Sequence, residues 1–130
     1  MIVDASALLA ILLDEPEGEH FKRHIAMKAG PHEMSPVNYL EAAVRVDGMN
    51  APAKAAELDN LLAALGVNLV PVTPDQALNA REAYQRFGKR NHPAKLNIGD
   101  CFAYALSKAR NEPLLFKGDD FPLTDVEAAL

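Results

Sequence analysis

Short apolar runs alternate with stretches of helical periodicity along the chain. Ile2–Val3, Val67–Val72 and Leu114–Phe116 are the clearest runs, and His32–Met34 is a shorter candidate. Short runs rich in aliphatic and β-branched residues, bounded by turn residues, are typical of buried strands. Because they alternate with helical segments, they predict an α/β fold in three layers, with helices on both faces of a central, mostly parallel sheet. We expect four to five strands, with residues 124–126 as a candidate edge strand.

Capping residues and prolines indicate where the helices begin and end. Ser35 followed by Pro36 is a strong helix start, and Gly66 is a typical helix end. Val37, Leu40, Glu41 and Val44 then share one helical face, which we predict to be buried with Glu41 as its one charged member. The predicted helices span residues 5–13, 18–28, 36–46, 51–65, 75–87 and 98–110.

Several acidic residues occupy positions where carboxylates are unusual. Asp4 ends the first apolar run, Glu41 lies on the predicted buried face, and Asp100 opens the last helix. Asp119 and Asp120 follow the last apolar run. Because buried unpaired charges are costly, acids at strand ends and on inward faces indicate a shared ligand. Oxygen ligands with negative charge favour Mg²⁺ or Mn²⁺.

Each acid also has a purely structural explanation. Asp4 is a favoured N-cap residue, and Asp100 can form a capping arrangement with Asn97. Arg45 lies one helical turn beyond Glu41 and could pair with it. Asp119 and Asp120 are common turn residues. The prediction of a shared site fails only if the structural explanation is correct for every one of these acids.

Length and composition indicate one domain over residues 1–130. The chain has 49% apolar and 24% charged residues, as in ordinary globular proteins. Cys101 is the only cysteine, which excludes an internal disulfide and suits a small core residue in a reducing cytoplasm. We expect no signal peptide and no membrane span. His20 and His24 are spaced i, i+4, but they lack the further ligands that zinc requires.

The charge of the chain is uneven, although its net value is −5. Residues 83–97 contain no acid, and this basic segment ends three residues before Asp100. An anionic substrate could bind the segment while the acids hold a metal. A solvated loop without a partner is the alternative. The basic segment contains Arg86, Lys89, Arg90, His92 and Lys95.

Two longer motifs complete the set and indicate a family. Residues 96–105 read LNIGDCFAYA and residues 113–121 read PLLFKGDDF, after the opening IVDASAL and a segment that runs from Ser35 to Glu41. Across nearly its whole length the chain resembles PIN-domain proteins of the VapC type, the toxins of type II toxin–antitoxin pairs. The resemblance lies in the ordered set of motifs.

The resemblance implies a Mg²⁺- or Mn²⁺-dependent endoribonuclease. In it Asp4 and Asp100 match the main metal ligands, and Glu41 matches the acid that completes the site. Asp119 is the choice for the fourth acid on spacing, with Asp120 as the alternative. Ser6 matches a small polar residue near the metal. The RNA-contact candidates are Ser6, Lys89, Arg90, His92, Lys95 and Lys117.

The resemblance also implies partners, and other functions stay open. A VapB-like antitoxin, an RNA substrate and a homodimer are expected, in the cytoplasm. A PIN nuclease of RNA processing and an idle PIN-like module that only binds protein are alternatives. A phospho-receiver domain, with Lys117 as its lysine, is a remote one, because Asp4 stands alone where a receiver has an acidic pair.

Overall fold

The computed structural model describes residues 1–130 and contains a four-stranded sheet covered by helices. All strand pairs are parallel, and the strand order is β3-β2-β1-β4. The strands are β1 (Ile2–Val3), β2 (His32–Met34), β3 (Val67–Leu69) and β4 (Leu114–Leu115). The helices are α1 (Ala5–Leu12), α2 (Gly18–Met27), α3 (Pro36–Asp47), α4 (Pro52–Leu65), α5 (Pro74–Phe87) and α6 (Ile98–Arg110), followed by a short 3₁₀ helix over Phe121–Leu123.

Successive strand residues bury their side chains on opposite faces of the sheet. Val3 and Leu115 belong to a core shared with α1 to α4. Ile2 and Leu114 belong to a second core, shared with α5 and α6. This alternation is the period of two expected for strands. It confirms the predicted α/β fold with helices on both faces of a parallel sheet.

The connections between the strands place the carboxyl ends of β1 and β4 side by side. The chain places β2 and then β3 on one side of β1, and then crosses to the other side to form β4. Ligands of such sheets bind beyond the carboxyl ends of the strands, where the strand order reverses. Here β1 pairs with β4 through Ile2 with Leu114 and Val3 with Leu115. Asp4 therefore emerges beside the segment that follows β4.

Most predicted element boundaries agree with the structure to within one or two residues, but β3 and β4 are shorter than predicted. β3 ends at Leu69, and Leu69 is 43% exposed. The predicted edge strand at residues 124–126 is wrong, since the chain there follows the 3₁₀ helix and pairs with β4 only through an isolated bridge at Ala128. Cys101 is buried, as predicted for a core residue. None of the helices combines the length and apolar character that a membrane span requires.

The predicted buried face of α3 is wrong. Leu40 and Val44 are 60% and 62% exposed. The buried residues are Asn38, Ala42 and Val46, which lie at i, i+4 and i+8. Small and polar side chains at these positions let α3 pack closely against α1 and α6, which both contact it. Apolar periodicity alone therefore identified the wrong side of this helix.

Candidate metal and RNA site

Asp4 lies at the junction of β1 and α1 and caps that helix. Its carboxylate accepts hydrogen bonds from the backbone N–H and the hydroxyl of Ser6, at 3.0 and 2.6 Å. The side chain is buried, with 4% exposure. Burial raises the pKa of Asp4 above its ordinary value, the two Ser6 hydrogen bonds oppose the rise, and the Glu41 charge adds to it. The capping role and the candidate ligand role therefore fall on one carboxylate.

Asp100 occupies the first turn of α6 and forms the predicted capping box with Asn97. The Asn97 side chain accepts from the Asp100 N–H at 2.9 Å, and the Asp100 carboxylate accepts from the Asn97 N–H at 3.0 Å. Burial raises the pKa of Asp100 to about 6, the hydrogen bond from Asn97 opposes this, and the charges of Asp4 and Asp120 add to it. Two acids thus act on Asp100 through space.

Glu41 extends from the middle of α3 toward the N-terminus of α6. The residue as a whole is exposed, but its carboxylate lies against Gly99 so closely that a Cβ at Gly99 would collide with it. Burial of this carboxylate raises the pKa of Glu41, and the Asp100 charge adds to the rise. Arg45 forms no ion pair with Glu41, so the structural explanation that the sequence left open for this acid, an i, i+4 pair, does not hold.

Asn38 is a site residue that the sequence analysis missed. It is fully buried on α3, and its amide nitrogen donates to Glu41 Oε1 and to the Gly99 carbonyl, both at 2.9 Å. Asp4 Oδ1 lies 3.5 Å from the same nitrogen. A polar residue one turn before Glu41 was the available signal. We did not select Asn38 from the sequence, because it lies outside the helical face that we predicted to be buried.

The two acids after β4 lie in different surroundings. Asp119 is exposed. Asp120 is half-buried, its charge acts on Asp100, and its carboxylate lies 4.0 Å from the Lys95 ammonium. The sequence spacing favoured Asp119 as the fourth acid, whereas these contacts favour Asp120, the alternative.

Residues 88–97 of the basic segment form an ordered turn between α5 and α6, whereas residues 83–87 belong to α5. Backbone hydrogen bonds join Lys89 to Leu96 and Leu96 to Phe87, both at 3.0 Å. His92 accepts from the Ala94 N–H through Nδ1 and packs edge-on against Phe87. One ring nitrogen of His92 therefore has a structural partner. Lys89, Arg90 and Lys95 are exposed.

Two other RNA-contact candidates have partners within the protein. Lys117 pairs through its ammonium with Glu15 and Glu17, at 3.2 Å each, and hydrogen bonds to these two acids raise its pKa. Its backbone N–H donates to the Ser6 hydroxyl at 3.0 Å, while Ser6 donates to Asp4. In this arrangement Ser6 and Lys117 support Asp4 and the strand end rather than a free surface.

The donor set at the strand ends fits a hard divalent cation. No three His, Cys, Asp or Glu side chains converge closely enough to hold an ion by themselves. Mg²⁺ does not need such a cage, because it keeps several waters and takes one or two carboxylates. Three carboxylates with raised pKa values lie in mutual electrostatic contact here. A bound cation would relieve that repulsion.

The comparisons with known proteins identify the family and the fold. The model of the PIN domain family matches residues 1–127. The chain belongs to the PIN-domain family. A solved structure of VapC20 from Mycobacterium tuberculosis, described as a sarcin–ricin loop cleaving toxin, aligns with a TM-score of 0.78 over 96% of this chain and 95% of that one. At 17% identity, this structural similarity supports the fold alone.

Curated relatives place this PIN domain among the VapC ribonucleases. A protein named Ribonuclease VapC from Mycolicibacterium smegmatis is 48% identical over 128 residues, which cover 98% of each chain. Ribonuclease VapC30 of Mycobacterium tuberculosis is 44% identical over 131 residues, covering 97% of this chain and 95% of the relative. By this membership the chain is a ribonuclease, and the receiver-domain alternative is wrong.

Proposed function

We propose that this PIN-domain ribonuclease cleaves RNA endonucleolytically with a divalent cation held by Asp4 and Asp100, and that it is the toxin of a toxin–antitoxin pair. The observation that carries the proposal is the meeting of Asp4, Glu41 and Asp100 at the carboxyl ends of the parallel strands. Their pKa values are all raised and each acts on another. Such a group of acids is suited to a cation and is costly without one.

The bound cation, Mg²⁺ or Mn²⁺, would supply charge neutralisation at the scissile phosphate and an acidified water. Asp4 is held for this task by two hydrogen bonds from Ser6, and Asp100 by its capping box with Asn97. Glu41 lies beside them and would orient the attacking water or a second ion. Because the acids lie at the junction of β1 with α1, on α3 and on α6, the fold fixes their relative positions.

We assign the fourth position to Asp120 rather than Asp119. Asp120 is half-buried and its charge reaches Asp100, whereas Asp119 is exposed. Lys95, which contacts Asp120, would exchange this contact for an RNA phosphate when substrate binds. Lys95 has a left-handed backbone (φ 54°), a conformation that non-glycine residues adopt rarely outside constrained sites.

Phosphate contacts from the basic segment would hold the RNA across the acids. Lys89 and Arg90 are exposed on an ordered turn, so they can contact phosphates without a large ordering cost. Ser6 and Lys117 would act indirectly, through Asp4 and the end of β4. His92 would contribute mainly to the shape of the turn.

The proposed partners are a VapB-like antitoxin and a second copy of the chain, in the cytoplasm. An arginine from the antitoxin could pair with the acids and exclude the metal. Leu40 and Val44 flank Glu41 on α3, and Ile98 precedes Gly99; all three are more than half exposed. An apolar surface beside the acids suits a protein interface. Leu8 and Leu12 of α1 lie in the core and are not part of this surface.

The decisive experiment is RNA cleavage by the purified, antitoxin-free protein with Mg²⁺, with Mn²⁺ and with EDTA. Asp100→Asn should lower the cleavage rate at least about a hundredfold, because it removes a ligand charge while its amide oxygen can keep the cap. Asp75→Asn, at an exposed acid in the first turn of α5, is the matched control and should retain wild-type activity. Asp120→Asn and Asp119→Asn separate the two candidates for the fourth acid.

The outcomes distinguish the alternatives. Discrete, metal-dependent fragments that Asp100→Asn does not produce would support the proposal. Cleavage that persists in EDTA or in Asp100→Asn would overturn the metal assignment. A larger loss for Asp119→Asn than for Asp120→Asn would return the fourth position to Asp119. Intact RNA from a folded wild-type protein would favour the idle protein-binding module.

A further inference from the structure

Asn38 contacts all three elements that carry the principal acids. Its amide nitrogen donates to Glu41 Oε1 and to the Gly99 carbonyl, at 2.9 Å each, and lies 3.5 Å from Asp4 Oδ1. These acceptors belong to α3, α6 and the junction of β1 with α1. No other side chain in the molecule hydrogen-bonds to both Asp4 and Glu41. An amide nitrogen carries two hydrogens, and the two shorter contacts use both of them. The Asp4 carboxylate therefore interacts mainly with the positive partial charge of the Asn38 NH₂ group.

The orientation of the Asn38 amide follows from its surroundings. The reverse orientation would place its oxygen against three other oxygens, two of them on carboxylates. The observed one leaves Asn38 Oδ1 buried without any hydrogen-bond partner. A buried carbonyl oxygen without a partner disfavours the folded state. An apolar residue of similar size would avoid that cost, but it would leave the Glu41 carboxylate and the Gly99 carbonyl without the donor they share, so the asparagine is explained by the groups it holds.

Gly99 provides the other half of the arrangement. Its missing side chain leaves the space that the Glu41 carboxylate occupies. Its carbonyl accepts from the same Asn38 nitrogen that holds Glu41. The Glu41 carboxylate is thus fixed between Asn38 and the first turn of α6, one residue from Asp100. Without the amide, repulsion from Asp4 and Asp100 would drive it toward solvent, since α3 presents this side chain at the surface.

We infer that Asn38 is a positioning residue that holds the Glu41 carboxylate against Gly99 and beside Asp4, so that the acids are preorganised for the cation. The inference rests on the proposed function. Asn38 does not touch the reacting atoms. It supplies a neutral donor between two carboxylates, which offsets their repulsion without competing for the cation as a lysine or arginine would.

The test is a double-variant cycle on Mn²⁺ binding, measured by calorimetry on the full chain without RNA. Asn38→Leu and Glu41→Gln should each raise the Kd for Mn²⁺ about tenfold, because each removes the hydrogen bond or the charge of one held carboxylate. The double variant should again show about a tenfold rise rather than a hundredfold one, because both changes act through Glu41. Cleavage rates should follow the same non-additive pattern.

Thermal unfolding separates this role from a structural one. Asn38→Leu should unfold at or slightly below the wild-type temperature in EDTA, because it removes the unpartnered oxygen but also the donor shared by Glu41 and Gly99. Ser107→Ala is the matched control, since Ser107 is equally buried but bonds only the Glu112 carbonyl, away from the acids. It should lower Tm and leave the Kd for Mn²⁺ unchanged. Asn38→Ala serves the same cycle if the leucine does not fit.

The inference is overturned if both Asn38 variants bind Mn²⁺ within about twofold of wild type. It is also overturned if the losses of Asn38→Leu and Glu41→Gln multiply in the double variant, since independent effects add in free energy. A wild-type protein that neither binds Mn²⁺ nor cleaves RNA would overturn the proposed function itself, and the inference with it.

Discussion

At the scale of single residues, the capping and ligand roles of the acids are compatible. Asp4 caps α1 and Asp100 closes a capping box on α6, as their sequence positions predict. An N-cap carboxylate stands at the positive end of a helix dipole, which partly offsets its own charge. The cap also fixes the rotamer of the side chain. A structural role for these two acids therefore prepares the geometry that a cation requires.

The raised pKa of Asp100 leads to a prediction about stability and pH. In the folded protein its pKa is about 6, against an ordinary value of 3.8. Between these two values the folded protein holds the proton and the unfolded chain does not, so stability falls as pH rises to about 6. At pH 7.5 in EDTA, Asp100→Asn should therefore be more stable than wild type, by about 1 kcal/mol after allowance for solvent at this partly exposed group.

Thermal unfolding followed by circular dichroism measures this gain. In a chain of this size, about 1 kcal/mol corresponds to a rise in Tm of roughly 3 °C. The gain should shrink as pH falls through 6 and be largely lost at about pH 3.5, below the ordinary pKa of 3.8, where Asp100 is protonated in the folded and the unfolded chain alike. Asp75→Asn should show no gain at either pH. A variant that is less stable than wild type at pH 7.5 would show that the carboxylate stabilises the metal-free fold.

At the scale of elements, α3 shows where sequence periodicity failed. Leu40 and Val44 look like core residues from their spacing, yet both are exposed. The helix instead buries Asn38, Ala42 and Val46. Asp4 and Asp100 were identified by their positions at predicted element boundaries, which the sequence does define, whereas Glu41 was selected from a buried face that the structure contradicts. The residues that hold Glu41 depend on the contact between α3 and α6, which no local pattern encodes.

Gly99 gives a prediction that belongs to this helix contact. It lies within α6, where alanine is a better helix former by about 1 kcal/mol. Its Cβ, however, would collide with the Glu41 carboxylate. Gly99→Ala should therefore unfold at or near the wild-type temperature while the cleavage rate falls at least about a hundredfold, because Glu41 is displaced.

A glycine outside the site provides the control for Gly99→Ala. Gly48 ends α3 with an ordinary φ of −71°, and a Cβ there would lie 3.3 Å from the nearest atom, the Val44 carbonyl oxygen. Gly48→Ala should leave the cleavage rate unchanged. Wild-type cleavage by Gly99→Ala would show that the Glu41 carboxylate is not needed in this position.

At the scale of the whole molecule, the sequence predicted the architecture well because alternating strands and helices have few parallel arrangements. The order of β1 and β4 in the sheet, which brings Asp4 beside the residues after β4, came from the structure. The distribution of charge was visible in the sequence, with a net value of −5 and an acid-free segment at residues 83–97. The structure adds that residues 88–97 of this segment form an ordered turn whose Lys95 reaches Asp120.

This separation of charges leads to a prediction about salt. An acidic protein would repel RNA over most of its surface, so binding should depend on a few phosphate contacts from the basic turn. The double variant Lys89→Ala/Arg90→Ala should weaken RNA binding about tenfold and reduce the slope of log affinity against log salt by about 1.4 to 1.8, as expected for two lost contacts. Fluorescence anisotropy with labelled RNA and Asp100→Asn protein in both backgrounds avoids cleavage during the measurement.

A control variant that loses two positive charges outside the basic turn tests whether the position of the charges affects RNA binding. Lys22 and Arg23 are exposed on α2, and Lys22→Ala/Arg23→Ala changes the net charge equally. If RNA binds through the basic turn, this control should shift affinity by less than about twofold and keep the slope. If both double variants weaken binding alike, net charge governs the interaction. Since the turn joins α5 to α6 and α6 carries Asp100, the expected result would tie substrate binding to the element that carries this proposed metal ligand.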